Sequence, residues 1–453
     1  MERLSFLKLP ISLGGLSYLY DAMRLFLENK GYKVKFRNFR PKKYSFIKFL
    51  DVDFYGLFFG GMIFVFKKGI RKFPSYSYKG IRIGQYIMAS VLRDPKTNLD
   101  ENLLRRKFFK ELLKGSLLYC IAKRESARVS FAYLHDGHYL YGIIIDCFLR
   151  NDVGVFLKTS PDGIIFVKNE NCSQKDMNKI RDNRNEIPDS EVERYMNNRL
   201  SDPYNSIPYM KVIEREENFI VPETEYIAVV YSHSFTDAQF EFGYDGFLGV
   251  YEWLTYTIEK LLENGIGVIL KGHPNFWAGE SEAKIDQWDY LIWGKVIENY
   301  KDKNLIPIDW PMNNFSLLSK LEQGNTLLVS HHGNPLVEGA YLGFKTLSSI
   351  ASPWADQYKF GHIWYGREDY ENKLKGEAWW AEVNQKEVYD FVRDKYLNPY
   401  GKSGELFWQS IVARKAGITY KELNKSPSIM KKIKVKDYGN MIEEISKSFQ
   451  EIR

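Results

Sequence analysis

Short apolar runs alternate with segments of helical periodicity along residues 226–352. Each run is continuous rather than alternating, which is typical of strands buried on both faces of a sheet. Four runs have this character: Ile227–Tyr231, Ile266–Leu270, Ile306–Ile308 and Thr326–Val329. The segments between them, such as Tyr251–Glu263, place apolar residues at helical spacing. This alternation predicts a parallel sheet with right-handed crossovers and a ligand crevice at the carboxyl ends of its strands.

The first half of the chain has the same pattern, beginning with a β-α-β unit. Its predicted strands are Leu4–Pro10, Tyr32–Phe36, Val129–Leu134 and Ile164–Val167, and its predicted helices are Tyr18–Asn29, Leu103–Gly115 and Tyr139–Leu149. We therefore expect an α/β protein of two Rossmann-like, doubly wound domains that face a cleft. The expected domains are residues 1–205, residues 206–400 and a helical region, 401–453, that packs back on the first domain. Residues 169–203 are polar and are expected to form a surface excursion or hinge.

The segment Asn325–Ser349 combines a strand, a polar turn and a helix. Asn334 is the expected N-cap, and Pro335 suits the first helical position because its missing N–H has no partner there. Free N–H groups and the helix dipole make this edge an anion site, for which phosphate is the expected ligand. Glu338 in the first turn would repel phosphate and is expected to accept hydrogen bonds from ribose hydroxyls. The alternative is an ordinary β-α unit whose glutamate favours the helix dipole.

Histidine is concentrated at the predicted strand ends. Of seven histidines, six follow predicted strands: His135, His138, His233, His273, His331 and His332. His331 and His332 are adjacent, so only one of them is expected to reach a ligand. His135 and His138 have the spacing of metal ligands, but a zinc site needs three or four. We interpret the histidines as phosphate-binding and proton-transfer groups, and we predict no metal site.

Charge is divided unevenly along the chain. Residues 1–130 carry 27 Lys and Arg against 10 Asp and Glu, a net +17, whereas the remainder carries 37 against 47, a net −10. A basic body of this kind attracts phosphate-rich partners, meaning an anionic membrane, an anionic glycan or a nucleic acid.

The most apolar segment, Phe54–Phe66, has too few residues to span a bilayer, which needs about 20. Either a buried core helix or an element at a membrane surface fits it, since Lys67 and Lys68 follow. Asp51-Val-Asp53 matches the D-x-D pattern of a different glycosyltransferase architecture, but nothing else connects it to a metal. The N-terminus lacks the features of a signal peptide, and three cysteines without metal-ligand spacing favour a reduced, cytoplasmic location.

Several motifs on consecutive β-α units resemble bacterial capsule and surface-polysaccharide glycosyltransferases of the GT-B architecture. They are Lys271-Gly-His-Pro after a buried strand, Ser-His-Ser-Phe-Thr-Asp-Ala from Ser232, Glu252-Trp-Leu on a helix, and Ser330 with Asn334-Pro-Leu-Val-Glu338-Gly-Ala. The His-Pro pair resembles that of transferases that use CMP-activated acidic sugars. The resemblance covers residues 226–352 well, and His331-His332 departs from it because smaller residues are expected there.

The resemblance implies transfer of a sugar from a nucleotide-activated donor, with a CMP-linked acidic sugar favoured, to a glycan or lipid-linked acceptor. It implies that His273 holds the donor phosphate and Glu338 the ribose. The expected donor-binding residues are Ser232, His233, Asp237, Lys271, His273, Pro274, Ser330, His331, Gly333, Asn334 and Glu338. Gly14 and Gly15 are expected to admit the acceptor.

The acceptor hydroxyl requires a base from the first domain, and Asp136, with His135 and His138 beside it, is the candidate. Its rival is Asp237. The expected reaction needs neither metal nor cofactor, and the protein is expected at the inner face of the membrane without binding nucleic acid. A nucleotide-sugar epimerase or hydrolase, or a non-catalytic polysaccharide-assembly protein, remains the alternative.

Overall fold

Two α/β units, each built on its own sheet, make up the described part of the chain. A computed structural model describes residues 3–8, 33–38, 51–129, 131–134, 139–151, 153–159, 163–167, 187–201, 219–236, 239–240, 243–277, 284–300, 302–310, 312–352, 354–355, 358–380 and 382–397. The predicted fold class, two Rossmann-like α/β domains, is confirmed by the two sheets and the helices that connect their strands.

The first sheet has the strand order β2-β1-β3-β4-β5. Its strands are β1 (Arg3–Lys8), β2 (Lys33–Asn38), β3 (Phe131–Leu134), β4 (Gly154–Thr159) and β5 (Gly163–Val167). The first four run parallel, and β5 is antiparallel to β4. The helices of this domain are α1 (Val52–Lys68), α2 (Ile83–Leu92), α3 (Glu101–Ser126) and α4 (Tyr141–Arg150).

Helix α3 is much longer than the predicted Leu103–Gly115. Asp100 caps its first turn by accepting hydrogen bonds from the N–H groups of Asn102 and Leu103. Gly115 does not end the helix but lies buried within it, where a Cβ atom would stand 3.0 Å from Ile87 of α2. The glycine therefore permits close approach of two helices. A sequence interpretation in which glycine ends a helix does not predict this role.

The apolar segment Phe54–Phe66 lies within α1, which buries only one of its faces. Phe54, Leu57 and Gly61 are buried, and a Cβ atom on Gly61 would come within 2.9 Å of Leu112 of α3. The opposite face is exposed. No helix among the described residues is both long enough and apolar enough to span a membrane.

The second sheet has six parallel strands in the order β11-β10-β9-β6-β7-β8. Its strands are β6 (Ile227–Tyr231), β7 (Gly267–Lys271), β8 (Leu305–Ile308), β9 (Thr326–Ser330), β10 (Lys345–Ser349) and β11 (His362–Trp364). Strands β6, β7 and β9 are buried throughout, as the continuous apolar runs predict.

Helices on both faces cover this sheet. They are α5 (Asp189–Ser201), α6 (Val250–Glu263), α7 (Lys284–Asn299), α8 (Asn314–Leu318), α9 (Asn334–Tyr341), α10 (Arg367–Asn372), α11 (Ala378–Trp380) and α12 (Gln385–Val392), with π-helical segments Lys373–Glu377 and Arg393–Leu397. The predicted helix Leu406–Arg414 lies outside the described residues.

Helix α5 lies before the expected domain boundary at residue 205, in the stretch expected to be a surface excursion. Its Val192, Met196 and Leu200 are nevertheless buried, and Val192 and Met196 belong to the core of the second domain. Their spacing of four residues forms one apolar face, which the surrounding charged residues obscure in the sequence.

Helix α9 begins one residue earlier than predicted. Gly333 is the N-cap, so Asn334 is the first helical residue rather than the cap, and Pro335 lies within the first turn. A Cβ atom on Gly339 would come within 1.9 Å of Leu328 on β9. This absence of a side chain lets α9 lie directly on the strand that precedes it, with its N-terminus at the carboxyl edge of the sheet.

The D-x-D pattern has a structural explanation. Asp51 caps α1, accepting from the N–H of Phe54 at 3.0 Å. Asp53 is buried and forms ion pairs with Lys79 and Lys123, and the hydroxyl of Tyr78 donates to it at 3.0 Å. Burial alone would raise the pKa of Asp53, but these hydrogen bonds outweigh it and bring the pKa to about 2.

Replacing Asp53 by asparagine is expected to lower the free energy of unfolding at pH 7 by about 2 kcal/mol, the equivalent of the lowered pKa. Because the folded pKa lies below the unfolded value, this stabilisation is complete above pH ~4 and declines as the pH falls towards ~2. Urea unfolding of Asp53→Asn and wild type at several pH values measures it. Asp51→Asn, which keeps a capping acceptor, is the control, and equal losses in both variants would contradict the assignment.

Candidate functional site

The register of the second sheet aligns the ends of three central strands. Tyr231, the last residue of β6, pairs with Lys271 of β7 on one side and with Ser330 of β9 on the other. The chain continues to β7 and β8 on one side of β6, and to β9, β10 and β11 on the other. The gap between β6 and β9 is therefore the topological switch point, where ligands bind in open α/β sheets.

Three of the predicted histidines meet at this point. The ring centroids of His233, after β6, and His332, after β9, lie 4.2 Å apart. His273, after β7, lies 5.0 Å from His233. The loops that follow three neighbouring strands thus bring these rings together.

The adjacent histidines His331 and His332 have different surroundings. His331 is buried, and its Nε2 lies 3.0 Å from Oδ2 of Asp245. Its ring also contacts the indoles of Trp253 and Trp364, with centroids 5.9 and 6.1 Å away. The two histidines contact each other through their Nδ1 atoms, which lie 2.7 Å apart. His332 thus lies with the other site histidines, and His331 connects it to a buried carboxylate.

Asp245 is 1% exposed and receives several hydrogen bonds. Besides His331, the hydroxyl of Ser349 and the indole N–H of Trp364 donate to Oδ2 at 2.8 and 3.0 Å, and the N–H of Phe247 donates to Oδ1 at 3.3 Å. Burial alone would raise the pKa of Asp245, but His331, Ser349 and Phe247 together lower it. The carboxyl group is therefore ionised at neutral pH.

Sequence reasoning missed Asp245. It lies between two glycines in a segment that precedes α6, and an Asp-Gly pair is a common turn signal that does not mark a buried site. Gly246 has a φ of +104°, and a Cβ atom there would come within 2.8 Å of the backbone nitrogen of Arg367. The carboxylate is thus placed by a backbone conformation that only glycine adopts readily.

Two of the clustered imidazoles resist protonation. Burial lowers the pKa of His332 well below its usual value, and the neighbouring His233, His331 and His273 lower it further. Burial likewise lowers the pKa of His273 well below its usual value, and His233 and Lys271 lower it further. Both rings are therefore neutral at pH 7, and each can both accept and donate one hydrogen bond. A concentration of buried titratable groups at a sheet edge is typical of a ligand site.

The hydroxyl and ammonium groups predicted to bind phosphate lie at the same edge. Ser330 and Ser232 are buried, and their hydroxyls donate to the backbone carbonyls of Tyr231 and His233 at 3.2 and 3.1 Å. Lys271 is also buried, and its ammonium nitrogen lies 5.9 Å from the ring centroid of Tyr231. The short 3₁₀ helix Pro274–Trp277 begins at the predicted Pro274.

Glu338 has protein partners that the sequence did not indicate. It is buried, and the guanidinium Nε of Arg199 on α5 donates to Oε1 at 2.7 Å. The side-chain amide of Asn314 donates to Oε2 at 3.0 Å and accepts at its own oxygen from the hydroxyl of Tyr231 at 2.6 Å. The structure therefore gives Glu338 a role in holding α5 and α8 against α9, and binding of ribose remains a prediction.

At the start of α9, the hydroxyl of Tyr396 donates to the side-chain oxygen of Asn334 at 2.6 Å. Gly333 is extended, and a Cβ atom there would stand 3.3 Å from the hydroxyl of Ser330. A small residue thus keeps this turn open beside the serine.

Six of the predicted site residues lie outside the described residues: Gly14, Gly15, His135, Asp136, His138 and Asp237. Strand β3 ends at Leu134, immediately before His135 in the chain. Their assignments as acceptor-binding, catalytic and donor-binding residues remain predictions.

Within the described ranges, no group of three or more His, Cys, Asp or Glu side chains could hold a metal ion. The described residues place imidazole, ammonium, hydroxyl and backbone N–H groups at the carboxyl edge of the second sheet. Donors of this kind suit an anionic oxygen ligand such as phosphate. Metal independence of the reaction itself remains a prediction.

Neither a protein-family model nor a curated protein sequence matches the chain. Several solved structures are similar in fold. KpsC of Thermosulfurimonas dismutans, a beta Kdo 2,4 transferase, is 12% identical with a TM-score of 0.34, over 58% of this chain and 78% of that one. An alpha,alpha-trehalose-phosphate synthase (UDP-forming) from Burkholderia vietnamiensis is 9% identical with a TM-score of 0.31, over 90% of this chain and 96% of that one. The UDP-GlcNAc 2-epimerase of Methanocaldococcus jannaschii is 11% identical with a TM-score of 0.25, over 89% of this chain and 98% of that one. Values in this range do not carry an activity from one protein to another.

Proposed function

We propose that the protein is a glycosyltransferase of the GT-B type that binds a nucleotide-activated sugar in its second domain and transfers the sugar to a glycan or lipid-linked acceptor. The observation that carries the proposal is the meeting of His233, His273 and His332 at the topological switch point of the second sheet. The Lys271-Gly-His-Pro motif favours a CMP-linked acidic sugar, and the acceptor would belong to surface polysaccharide synthesis.

The donor phosphate would lie against His273, Lys271 and the N-terminus of α9. Displacement at the anomeric carbon leaves negative charge on the departing phosphate oxygen, and positioned N–H groups stabilise that charge without a metal. Since His273 and His332 are neutral at pH 7, each imidazole carries one N–H, which can donate a hydrogen bond to the phosphate.

Replacing His273 by alanine is expected to weaken nucleotide binding by about 1–3 kcal/mol, the scale of one hydrogen bond to a charged group. Calorimetry with CMP and UDP, run in EDTA, measures the affinity and tests metal independence of binding at the same time. His362→Ala is the matched control, because His362 lies on the edge strand β11, three strands away from β6. Unchanged affinity in His273→Ala, or equal losses in both variants, would argue against this donor site.

The base is assigned to Asp136, which follows β3 in the chain of the first domain. Asp136→Asn keeps the shape of the side chain and removes its basicity, so kcat is expected to fall by about 10²–10⁴-fold while nucleotide affinity stays the same. Steady-state assays with donor and acceptor measure this. Asp237→Asn is the companion variant, and a large loss there with full activity in Asp136→Asn would reverse the two roles. Donor turnover that needs no acceptor would indicate a hydrolase instead.

We also propose that the first domain contacts the inner, anionic face of a membrane through the exposed face of α1. Five large side chains at spacings of three and four residues form this face, namely Val52, Tyr55, Phe59, Ile63 and Phe66, with exposures from 47% to 92%. Lys67 and Lys68 end the helix, and Lys72 follows, all of them exposed. An apolar stripe ending in basic residues is complementary to anionic lipid.

The double variant Phe59→Ser/Phe66→Ser is expected to bind anionic vesicles at least about tenfold more weakly, because burial of each phenylalanine contributes about 1.5–3 kcal/mol when complete. Co-sedimentation with phosphatidylglycerol vesicles measures binding, which should also weaken in 1 M salt. Trp380→Ser, at a residue that is 70% exposed in the second domain, is the control. Binding to neutral vesicles as tight as to anionic ones, or no vesicle binding by the wild type, would overturn the proposal.

A further inference from the structure

The turn that follows α2 carries two exposed cations whose charge the neighbouring carboxylate does not neutralise. Arg93 is the C-cap of α2, and Lys96 lies in the short 3₁₀ helix Pro95–Asn98. Asp94 lies between them in the chain but is bound elsewhere. Its Oδ2 pairs with the ammonium of Lys107 at 3.0 Å, and its Oδ1 accepts from the backbone N–H of Lys96 at 3.2 Å. Within the described ranges, no carboxylate forms an ion pair with the side chain of either cation.

Aromatic rings hold both cations. The guanidinium carbon of Arg93 lies 4.7 Å from the ring centroid of Tyr139, and the ammonium nitrogen of Lys96 lies 4.6 Å from that of Trp288. A cation–π contact fixes the position of a cation without neutralising it, because the ring has no net charge. A guanidinium that lies over a ring also keeps the N–H groups on its edge, which match the two oxygens of a carboxylate or a phosphate.

Tyr139 has an unusual backbone conformation. Its φ of +55° is in the left-handed region, which a residue with a Cβ atom rarely adopts. It is buried five residues after the end of β3, and the N–H of the next residue, Leu140, donates to the hydroxyl of Ser90 on α2 at 3.0 Å. Strained residues of this kind are concentrated at functional sites. Here the strained residue places its ring beyond the carboxyl end of β3, on the side where ligands bind in open α/β sheets.

The turn after α2 also lies where the two domains meet. A Cβ atom on Gly249, the residue before α6, would stand 3.0 Å from Cδ1 of Leu92 at the end of α2. Leu248 is buried in one cluster with Leu92 and Tyr139, and Trp288 lies on α7. Since α6 and α7 belong to the second domain, the two cations are on the side of the first domain that faces the second.

The helix dipole gives a different reason for a cation at the end of α2. Positive side chains are favoured at a helix C-terminus, and Arg93 is the C-cap. The dipole does not, however, require an aromatic ring under the guanidinium, and Lys96 lies beyond the helix. A role limited to the dipole would affect stability and would give no preference for one ligand over another.

We propose that Arg93, assisted by Lys96, binds an anionic group of the acceptor, a carboxylate or a phosphate, where the two domains meet. The guanidinium forms charge-assisted hydrogen bonds to two oxygens of this group. Tyr139 is a positioning residue, because it acts by holding the guanidinium. The inference deepens the proposed function, on which it rests for the identity of the ligand as the acceptor, and it makes Arg93 the residue that distinguishes an acidic acceptor from a neutral one.

The experiment compares the binding of three small sugars by NMR titration. The methyl glycoside of N-acetylneuraminic acid carries a carboxylate, glucose 6-phosphate carries a phosphate, and methyl glucoside is neutral. The wild type is expected to bind at least one charged sugar at least about tenfold more tightly than the neutral one, because hydrogen bonds between charged groups are the stronger ones. The charged sugar that binds more tightly shows whether the anion is a carboxylate or a phosphate.

Variants then test whether Arg93 causes this preference. Arg93→Gln should lower the preference for the charged sugar by about tenfold, and Arg93→Lys, which keeps the charge without the planar fork, should recover part of it. Tyr139→Leu removes the ring and should weaken binding by about two- to fivefold. Arg106→Gln, at an exposed arginine on α3, removes the same charge and is the control. Thermal unfolding checks that each variant is folded.

Two results would overturn the inference. One is equal binding of the charged and the neutral sugars by the wild type, and the other is equal loss of preference in Arg93→Gln and Arg106→Gln. Calorimetry of the wild type with CMP and UDP separates this inference from the proposed function. If neither nucleotide binds but a charged sugar binds through Arg93, the proposed donor site fails and the anion site stands. If a nucleotide binds and no charged sugar is preferred, the donor site stands and the anion site fails.

Discussion

The parallel pairing of β6 with β7 and β9 is the constraint on which the candidate site depends. Because Tyr231 is in register with both Lys271 and Ser330, the polar residues that follow these strands leave the sheet at one level. A shift of one residue in either pairing would turn each strand's side chains to the opposite face. The imidazoles of three loops meet at the switch point because the backbone hydrogen bonds of the buried strands fix where each loop begins.

Most of the second domain could be predicted from the sequence, since buried parallel strands appear as continuous apolar runs. Ile227–Tyr231 was predicted with its exact ends, and β7, β8 and β9 within a residue at either end. The predicted helices were less accurate, because a residue type such as glycine can either end a helix or allow two helices to pack closely. Gly115 was interpreted as a helix end and instead permits helix packing, and the apolar face of α5 was hidden among charged residues.

For the candidate site, the sequence predicts only which residues follow each strand along the chain. Residues that follow a strand can be assigned to the carboxyl edge, and this assigned His233, His273 and the pair His331-His332 to one edge. The sequence selected His331 of that pair as the donor-binding residue, whereas in the structure His332 packs against His233 and His331 lies beside Asp245. The buried partners of His331 and Glu338 come from elsewhere: Asp245 from a glycine-rich loop and Arg199 from a helix before the first strand of the domain. A single sequence contains no signal that relates such distant positions, because their proximity results from tertiary packing and not from periodicity.

The packing of α5 bears on how the protein can be divided for study. A fragment that starts at residue 206, after the polar stretch, would lack Val192 and Met196 from its core and would leave Glu338 buried without its guanidinium partner. Removal of one member of a buried ion pair typically costs about 3–5 kcal/mol, a large share of the stability of an ordinary domain. A fragment that keeps the core of the second domain intact therefore includes α5, and its N-terminal limit lies at or before Ile187, where the described chain of this domain begins.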